Sequence, residues 1–191
     1  MSYGIYQRTK PRINVKRGFQ GNEPQSLTMS LPVKSGESIM SGMLIVPAVN
    51  GVTGTLEWVK SASNVDTKNT VPYFAYTDDT DTDVVSSNRL LGLSCLGQFE
   101  LQTGYFDNTQ SYNVGDALIK STTAGSITNA AASFLSAIEV VGIVSQGGKQ
   151  DTQAPLNALG RVAPPINSEA TPVATHVYVL NLVVQWKPAQ S

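Results

Sequence analysis

Apolar and polar residues alternate in short runs along most of this chain, and glycine, proline and polar clusters separate the runs. Leu27, Met29, Leu31 and Val33 alternate with Thr28, Ser30 and Pro32, the period of a strand, and Pro32 assigns that strand to a sheet edge or to its own end. Lys34-Ser-Gly-Glu predicts a turn before the apolar run that opens at Ile39. Asn50-Gly51, with Gly54 beyond it, predicts a tight hairpin turn leading into Thr55-Leu-Glu-Trp-Val-Lys. A polar loop over 61–70 precedes Val71-Pro-Tyr-Phe-Ala-Tyr. In the run from Leu90 to Thr103, Phe99, Leu101 and Thr103 share one side while Gln98, Glu100 and Gln102 share the other, which predicts a half-buried strand.

The stretch from Tyr112 to Ser145 reads as strand, turn, strand: Gly115-Asp116 opens an apolar run, Gly125 supplies a turn, and Ile138-Glu-Val-Val-Gly-Ile-Val-Ser returns, rich in β-branched residues. Asn129 to Ala137 fits either a short capped helix or a loop insertion. Four prolines between 150 and 172 predict a long crossing loop suited to contacts. The chain then enters its longest strand, Ala174 to Trp186, with His176, Tyr178, Leu180, Leu182, Val184 and Trp186 on one face. Its other face is also largely apolar, so the strand is either central in a two-layered structure or covered by a neighbouring subunit. Together these elements predict a mainly β protein: a compact antiparallel β-barrel or β-sandwich with few or no helices. Residues 27–191 form a single domain, and residues 1–26 form an extended N-terminal arm.

Charge changes this picture in one place. The chain is 41% hydrophobic but only 14% charged, against roughly 25% in soluble domains. Such a surface suits a protein that packs against others, since fewer charges must be desolvated at an interface. The net charge of −1 hides an asymmetry: Arg8, Lys10, Arg12, Lys16 and Arg17 crowd the first 20 residues without an acid, leaving a balance of −6 on the rest. A basic arm on an acidic body steers docking onto an acidic surface. Five charges without an aromatic ladder do not make a nucleic-acid interface, so nucleic acid is not an expected partner. The first residues lack the apolar core of a signal peptide, and no run approaches the roughly 18 apolar residues that span a bilayer. The chain is therefore expected to be made in a cytoplasm, without a membrane partner.

Candidate chemistry is sparse. Ser94, in Gly92-Leu-Ser-Cys-Leu-Gly97, and Ser145, in Gly142-Ile-Val-Ser-Gln-Gly147, both miss the Gly-X-Ser-X-Gly spacing that exposes a hydrolase nucleophile. The only histidine, His176, sits mid-strand, and no glycine-rich phosphate loop is present. Cys95 is a lone cysteine in an apolar context, a buried small side chain by default. Asp79, Asp81 and Asp83 have the spacing that opens a calcium loop and are weak metal candidates; Val84 and Leu90 stand where the turn glycine and closing glutamate belong. Glu57, Glu100 and Glu139 read as strand glutamates on polar faces rather than a catalytic pair. Trp58, Tyr73, Phe74, Tyr76 and Tyr105 offer aromatic faces for a sugar or, more commonly, a core. No cofactor and no catalysis are expected.

Four segments carry a family resemblance: Ser35-Gly-Glu-Ser-Ile-Met-Ser-Gly-Met-Leu-Ile, Gly115-Asp-Ala-Leu-Ile, Gly125-Ser-Ile-Thr-Asn-Ala and Val140-Val-Gly-Ile-Val-Ser-Gln. In their order they resemble the β-rich decoration, or cement, proteins and related head-structure proteins of tailed bacteriophages, over roughly residues 34–147. The resemblance implies a structural virion protein on the capsid surface that binds the outside of an assembled shell and stabilises contacts between capsomers. Its implied partners are the major capsid protein and neighbouring copies of itself, as a homo-oligomer such as a trimer. The contact residues expected on that reading are Arg8, Lys10, Arg12, Lys16 and Arg17 of the arm and Tyr178 and Trp186 of the closing strand. A tail, baseplate or fibre-associated phage protein would share this style, and a carbohydrate-binding adhesin module using the aromatics near Tyr73 is a third reading.

Overall fold

The computed structural model describes residues 14–18, 28–63, 66, 70–76, 84–85, 88–96, 99–130, 139–153 and 177–189. Among them there is no helix, and the mainly β class holds. The strands in chain order are β1 (Asn14–Gly18), β2 (Thr28–Pro32), β3 (Ser38–Ile39), β4 (Leu44–Val49), β5 (Leu56–Lys60), β6 (Tyr73–Tyr76) and β7 (Val84–Val85). They continue with β8 (Arg89–Ser94), β9 (Phe99–Thr103), β10 (Ala117–Lys120), β11 (Ile127–Thr128), β12 (Val140–Gln153) and β13 (Val177–Lys187).

These strands build two layers. One is a five-stranded antiparallel sheet in the order β2-β8-β6-β4-β5. It curls until its outer strands meet: Val33, just past β2, bridges Trp58 of β5, and Lys34 N donates to Trp58 O at 3.0 Å. The other is a six-stranded sheet in the order β1-β9-β13-β12-β10-β11, and β3 pairs with β7 as a separate ribbon.

Two cores follow from this arrangement. Val33, Ile39, Ile45, Trp58, Ala75 and Leu90 fill the inside of the curled sheet. Leu44, Phe74 and Leu93 turn the other way and meet Leu101, Leu118, Val144, Leu180, Leu182 and Val184 of the six-stranded sheet. Strands β4, β6 and β8 are thus apolar on both faces, which is why Leu44-Ile-Val and Phe74-Ala run together instead of alternating. Trp58 is fully buried; its indole donates to Leu90 O at 2.8 Å and leans on Tyr73 with ring centroids 5.0 Å apart.

Several expectations meet the structure directly. Pro32 ends the outermost strand of its sheet, where its missing N–H costs no ladder bond. The closing strand β13 lies between β9 and β12, so its two apolar faces are those of a central strand. In the Tyr112–Ser145 unit the two expected strands form as β10 and β12 and pair with each other, but Ile127-Thr128 of the expected turn region form a third strand, β11, on the other side of β10. Gly115, at φ +93°, closes the turn in which Asp116 N donates to Asn113 O at 3.0 Å, a conformation that a Cβ resists.

The turn expected at Asn50-Gly51 forms between β4 and β5; its loop closes through Asn50 N to Thr55 O (2.8 Å) and Gly54 N to Asn50 O (2.8 Å), with the positive φ at Gly54. Others are corrected. Strand β9 is not half-buried, because Glu100 and Gln102 are as enclosed as Leu101. Residues 150–153, expected in the crossing loop, extend β12. Within the expected arm, residues 14–18 form an edge strand on β9. The remainder of that arm, residues 131–137 of the helix-or-insertion stretch, the loop from 154 to 172, and His176 lie outside the described residues.

Candidate functional site

The polar residues that the fold spends most effort on converge between the two layers. Leu118 and Lys120 share a face of β10, and since Leu118 belongs to the inter-sheet core, Lys120 enters the same space with its side chain only 5% exposed. A solitary buried ammonium is costly. Two carboxylates meet it: Asp66 Oδ2 at 3.1 Å and Glu139 Oε2 at 2.6 Å, their side chains 4% and 10% exposed. Both contacts are within ion-pair range.

Asp66 is held rigidly. Its N–H donates to Ala62 O at 3.0 Å, its Oδ1 accepts from Ala62 N at 3.1 Å, and the Ser61 hydroxyl donates to Oδ2. The loop that carries Ser61 and Asp66 is stitched to both sheets. Ser61 N donates to Leu44 O, Gly125 N to Ser61 O, Leu44 N to Gly125 O, and Ser63 N to Ser121 O, at 2.8–3.0 Å. Gly125, at φ +83°, makes the β10–β11 turn, and a Cβ there would stand 3.2 Å from Met43 Cγ. The expected polar loop thus dips into the interior at Ser61, Ala62 and Asp66, because the backbone of both sheets satisfies it there.

Cys95 lies in this core. Burial pushes its thiol up from the ordinary range, with the Lys120 ammonium pulling the other way, so it stays protonated and unreactive. Tyr112 is pushed up as well, by burial first and by Asp107 second, against a hydrogen bond with Thr128. Its hydroxyl donates to Asp107 O at 2.7 Å.

A second polar group crosses the six-stranded sheet. Ser145 Oγ donates to Glu100 Oε1 at 2.9 Å, and Asn181 Nδ2 donates to Gln146 Oε1 at 2.8 Å. Glu100, expected on a solvated polar face, is buried, and so is Glu139. In backbone register Glu100 faces Arg17 of β1 and Gln102 faces Asn14.

Among the described residues Leu96 and Val114 are exposed, and the other large exposed hydrophobics gather at the tip of the β4–β5 hairpin. Val49 and Leu56 are cross-strand partners, 69% and 42% exposed, and Val52 in the loop between them is 95% exposed. Asn50 stiffens this tip: its Oδ1 accepts from Val52 N (2.8 Å) and Thr53 N (3.1 Å), and its Nδ2 donates to Glu57 Oε1 (2.8 Å). The result is an ordered apolar projection.

The residues expected to make contacts fall as follows. Arg8, Lys10 and Arg12 lie outside the described residues, as do Asp79, Asp81 and Asp83. Lys16 and Arg17 lie in β1 and Tyr178 in β13, where the backbone alone is described. Trp186 packs partly buried against the inter-sheet core, and its Nε1 finds no acceptor among the described residues. Of the aromatics considered for sugar stacking, Trp58 and Phe74 are fully buried. Among the described residues no group of three or more His, Cys, Asp or Glu side chains is placed to hold a metal ion, and no helix is long and apolar enough to cross a membrane. Nothing in the composition pointed to Ser61, Asp66 and Lys120 as partners; the one legible sign was that Lys120 is in phase with Leu118 in an apolar strand. No family model, curated protein or solved structure matches this chain.

Proposed function

We propose that this chain is a non-catalytic structural protein of a tailed-phage virion that binds the outer surface of the assembled capsid and stabilises contacts between capsomers. The observation that carries the reading is the stiff apolar tip formed by Val49, Val52 and Leu56, an ordered projection on a weakly charged protein. Exposed aliphatic residues on a rigid hairpin bury against a partner with little ordering cost. The segments that resemble decoration proteins support the reading at the level of the scaffold: Gly115-Asp-Ala-Leu-Ile and Gly125-Ser-Ile-Thr are turns leading into the paired strands β10 and β11, and Val140-Val-Gly-Ile-Val-Ser-Gln opens β12, which pairs with β10. The major capsid protein and further copies of this chain are its proposed partners. A basic N-terminal segment and an apolar tip that engage together raise effective concentration, so each contact can be weak.

Co-sedimentation of the purified chain with empty heads and, separately, with tails of the phage that carries its gene tests this. Saturable binding to heads alone is expected. Binding to tails alone would favour the tail or baseplate reading and overturn this one. The adhesin reading keeps only the half-buried Tyr73, Tyr76 and Tyr105, since Trp58 and Phe74 are fully buried.

A further inference from the structure

The Lys120 cluster is built like a reaction site rather than a simple ion pair. It contains an amine nitrogen, a carboxyl carbon held by backbone and hydroxyl donors, and a second carboxylate beside the nitrogen, all enclosed between two sheets. Lys120 Nζ is 3.1 Å from Asp66 Oδ2, an oxygen bonded to the carbon an amine would attack, and holding two groups side by side in a fixed arrangement raises their effective molarity. Both carboxylates stand within ion-pair distance of the one buried nitrogen.

We propose that Lys120 and Asp66 condense in the folded chain into an intramolecular amide, with Glu139 carrying the proton. The reacting form is amine plus carboxylic acid, reached by transfer of one proton within the pair. The Nζ lone pair attacks Asp66 Cγ, forming the C–N bond and moving the C=O π pair onto Oδ1. Ala62 N–H, 3.1 Å from Oδ1, receives the developing oxyanion. Glu139 Oε2, 2.6 Å from Nζ, takes a nitrogen proton and returns it to the departing Oδ2, with the Ser61 hydroxyl beside it. The Cγ–Oδ2 bond breaks and water leaves. The ammonium and two carboxylates become one amide, one water and one carboxylate, with charge and hydrogen count conserved and no oxidant or cofactor required.

The bond would join the Ser61 loop to β10 and so lock one layer to the other, a covalent staple across a loop of more than fifty residues that would resist forced opening. It is independent of what the chain docks onto. The test is the intact mass of the purified full chain, measured against Lys120→Arg with identical termini. After allowing for the substitution, wild type should be lighter by one water. Trypsin should yield residues 61–68 joined to residues 90–149 as one branched peptide, uncut after Lys120. Glu139→Ala should keep the full mass, and Asp66→Asn should lose one ammonia in place of water. A folded wild-type chain that keeps its full mass and is cut after Lys120 overturns the proposal. A folded Glu139→Ala chain that still forms the branch overturns the role given to Glu139. The branched peptide is read in wild type alone, so the test survives if any variant fails to fold.

Discussion

Gly92→Ala probes the packing on which the curled sheet depends. A Cβ at this position would stand 2.7 Å from Trp58 Cζ2, 3.0 Å from Trp58 Cη2 and 3.1 Å from Tyr73 Cβ. Carbon atoms in good contact sit about 3.5–4.0 Å apart, so the overlap with the indole is close to 1 Å. The ring cannot swing away cheaply: it is fully buried, tied to Leu90 O through Nε1 at 2.8 Å and backed by Tyr73. Overpacking of this kind costs about 1–3 kcal/mol. At about 2 kcal/mol, a chain of this size should lose about 4–8 °C in Tm. Urea denaturation of wild type, Gly92→Ala, Trp58→Phe and the double variant completes a cycle. The smaller ring should accept the methyl, giving a coupling energy of about 1 kcal/mol or more. If Gly92→Ala lies within about 0.5 kcal/mol of wild type, or the two changes are additive, the indole does not fill the sheet in the way described.

Three further outcomes follow from named residues. The unfolded chain releases the Cys95 proton near the ordinary thiol range, about 8.5, while the folded chain holds it to higher pH. Stability should therefore be flat in this respect below that value and fall above it by up to about 1.4 kcal/mol per pH unit; Cys95→Ala should flatten the slope of the urea midpoint between about pH 8 and pH 10, and an unchanged slope would refute the assignment. Asn50→Ala should cost about 1 kcal/mol in denaturation, with faster amide exchange at Val52 and Thr53, whose N–H groups it caps. Val52→Ser should leave stability within about 0.5 kcal/mol, because the side chain touches little, yet weaken binding to heads in co-sedimentation.

The strand pattern was largely legible, and the layers were not. Alternation at Met29 and Leu31, the turn at Lys34–Glu37 and the entry at Gly115 all lie where local chemistry put them, because each depends on a few adjacent residues. The two apolar faces of β13 left open a central strand or one covered by a neighbouring subunit, and its place between β9 and β12 makes it central. Sequence misled where long-range partners decide the outcome. Glu100 and Gln102 alternate with apolar residues and so resemble a solvent face, but Ser145 of β12 supplies Glu100 with a partner and both residues are enclosed. Ser61 and Asp66 read as loop polarity, since the groups that satisfy them are brought in from Leu44, Lys120 and Gly125. The turn at Asn50-Gly51, by contrast, was legible: Asn50 caps Val52 and Thr53 through its side chain, and the positive φ lies at Gly54. One design consequence concerns the N-terminal segment. Residues 14–18 pair with β9, so a deletion through residue 20 would strip an edge strand, and removing residues 1–12 is the cleaner test of the basic arm.

Electron cryomicroscopy of the native phage particle bears most directly on the central claim. The account predicts repeated density on the outer surface of the shell, at junctions between capsomers, that fits this two-layered fold with the Val49–Leu56 hairpin turned toward the capsid. The same fold found in the tail or baseplate, or a shell whose outer surface lacks it in particles shown by mass spectrometry to contain the chain, would contradict that claim.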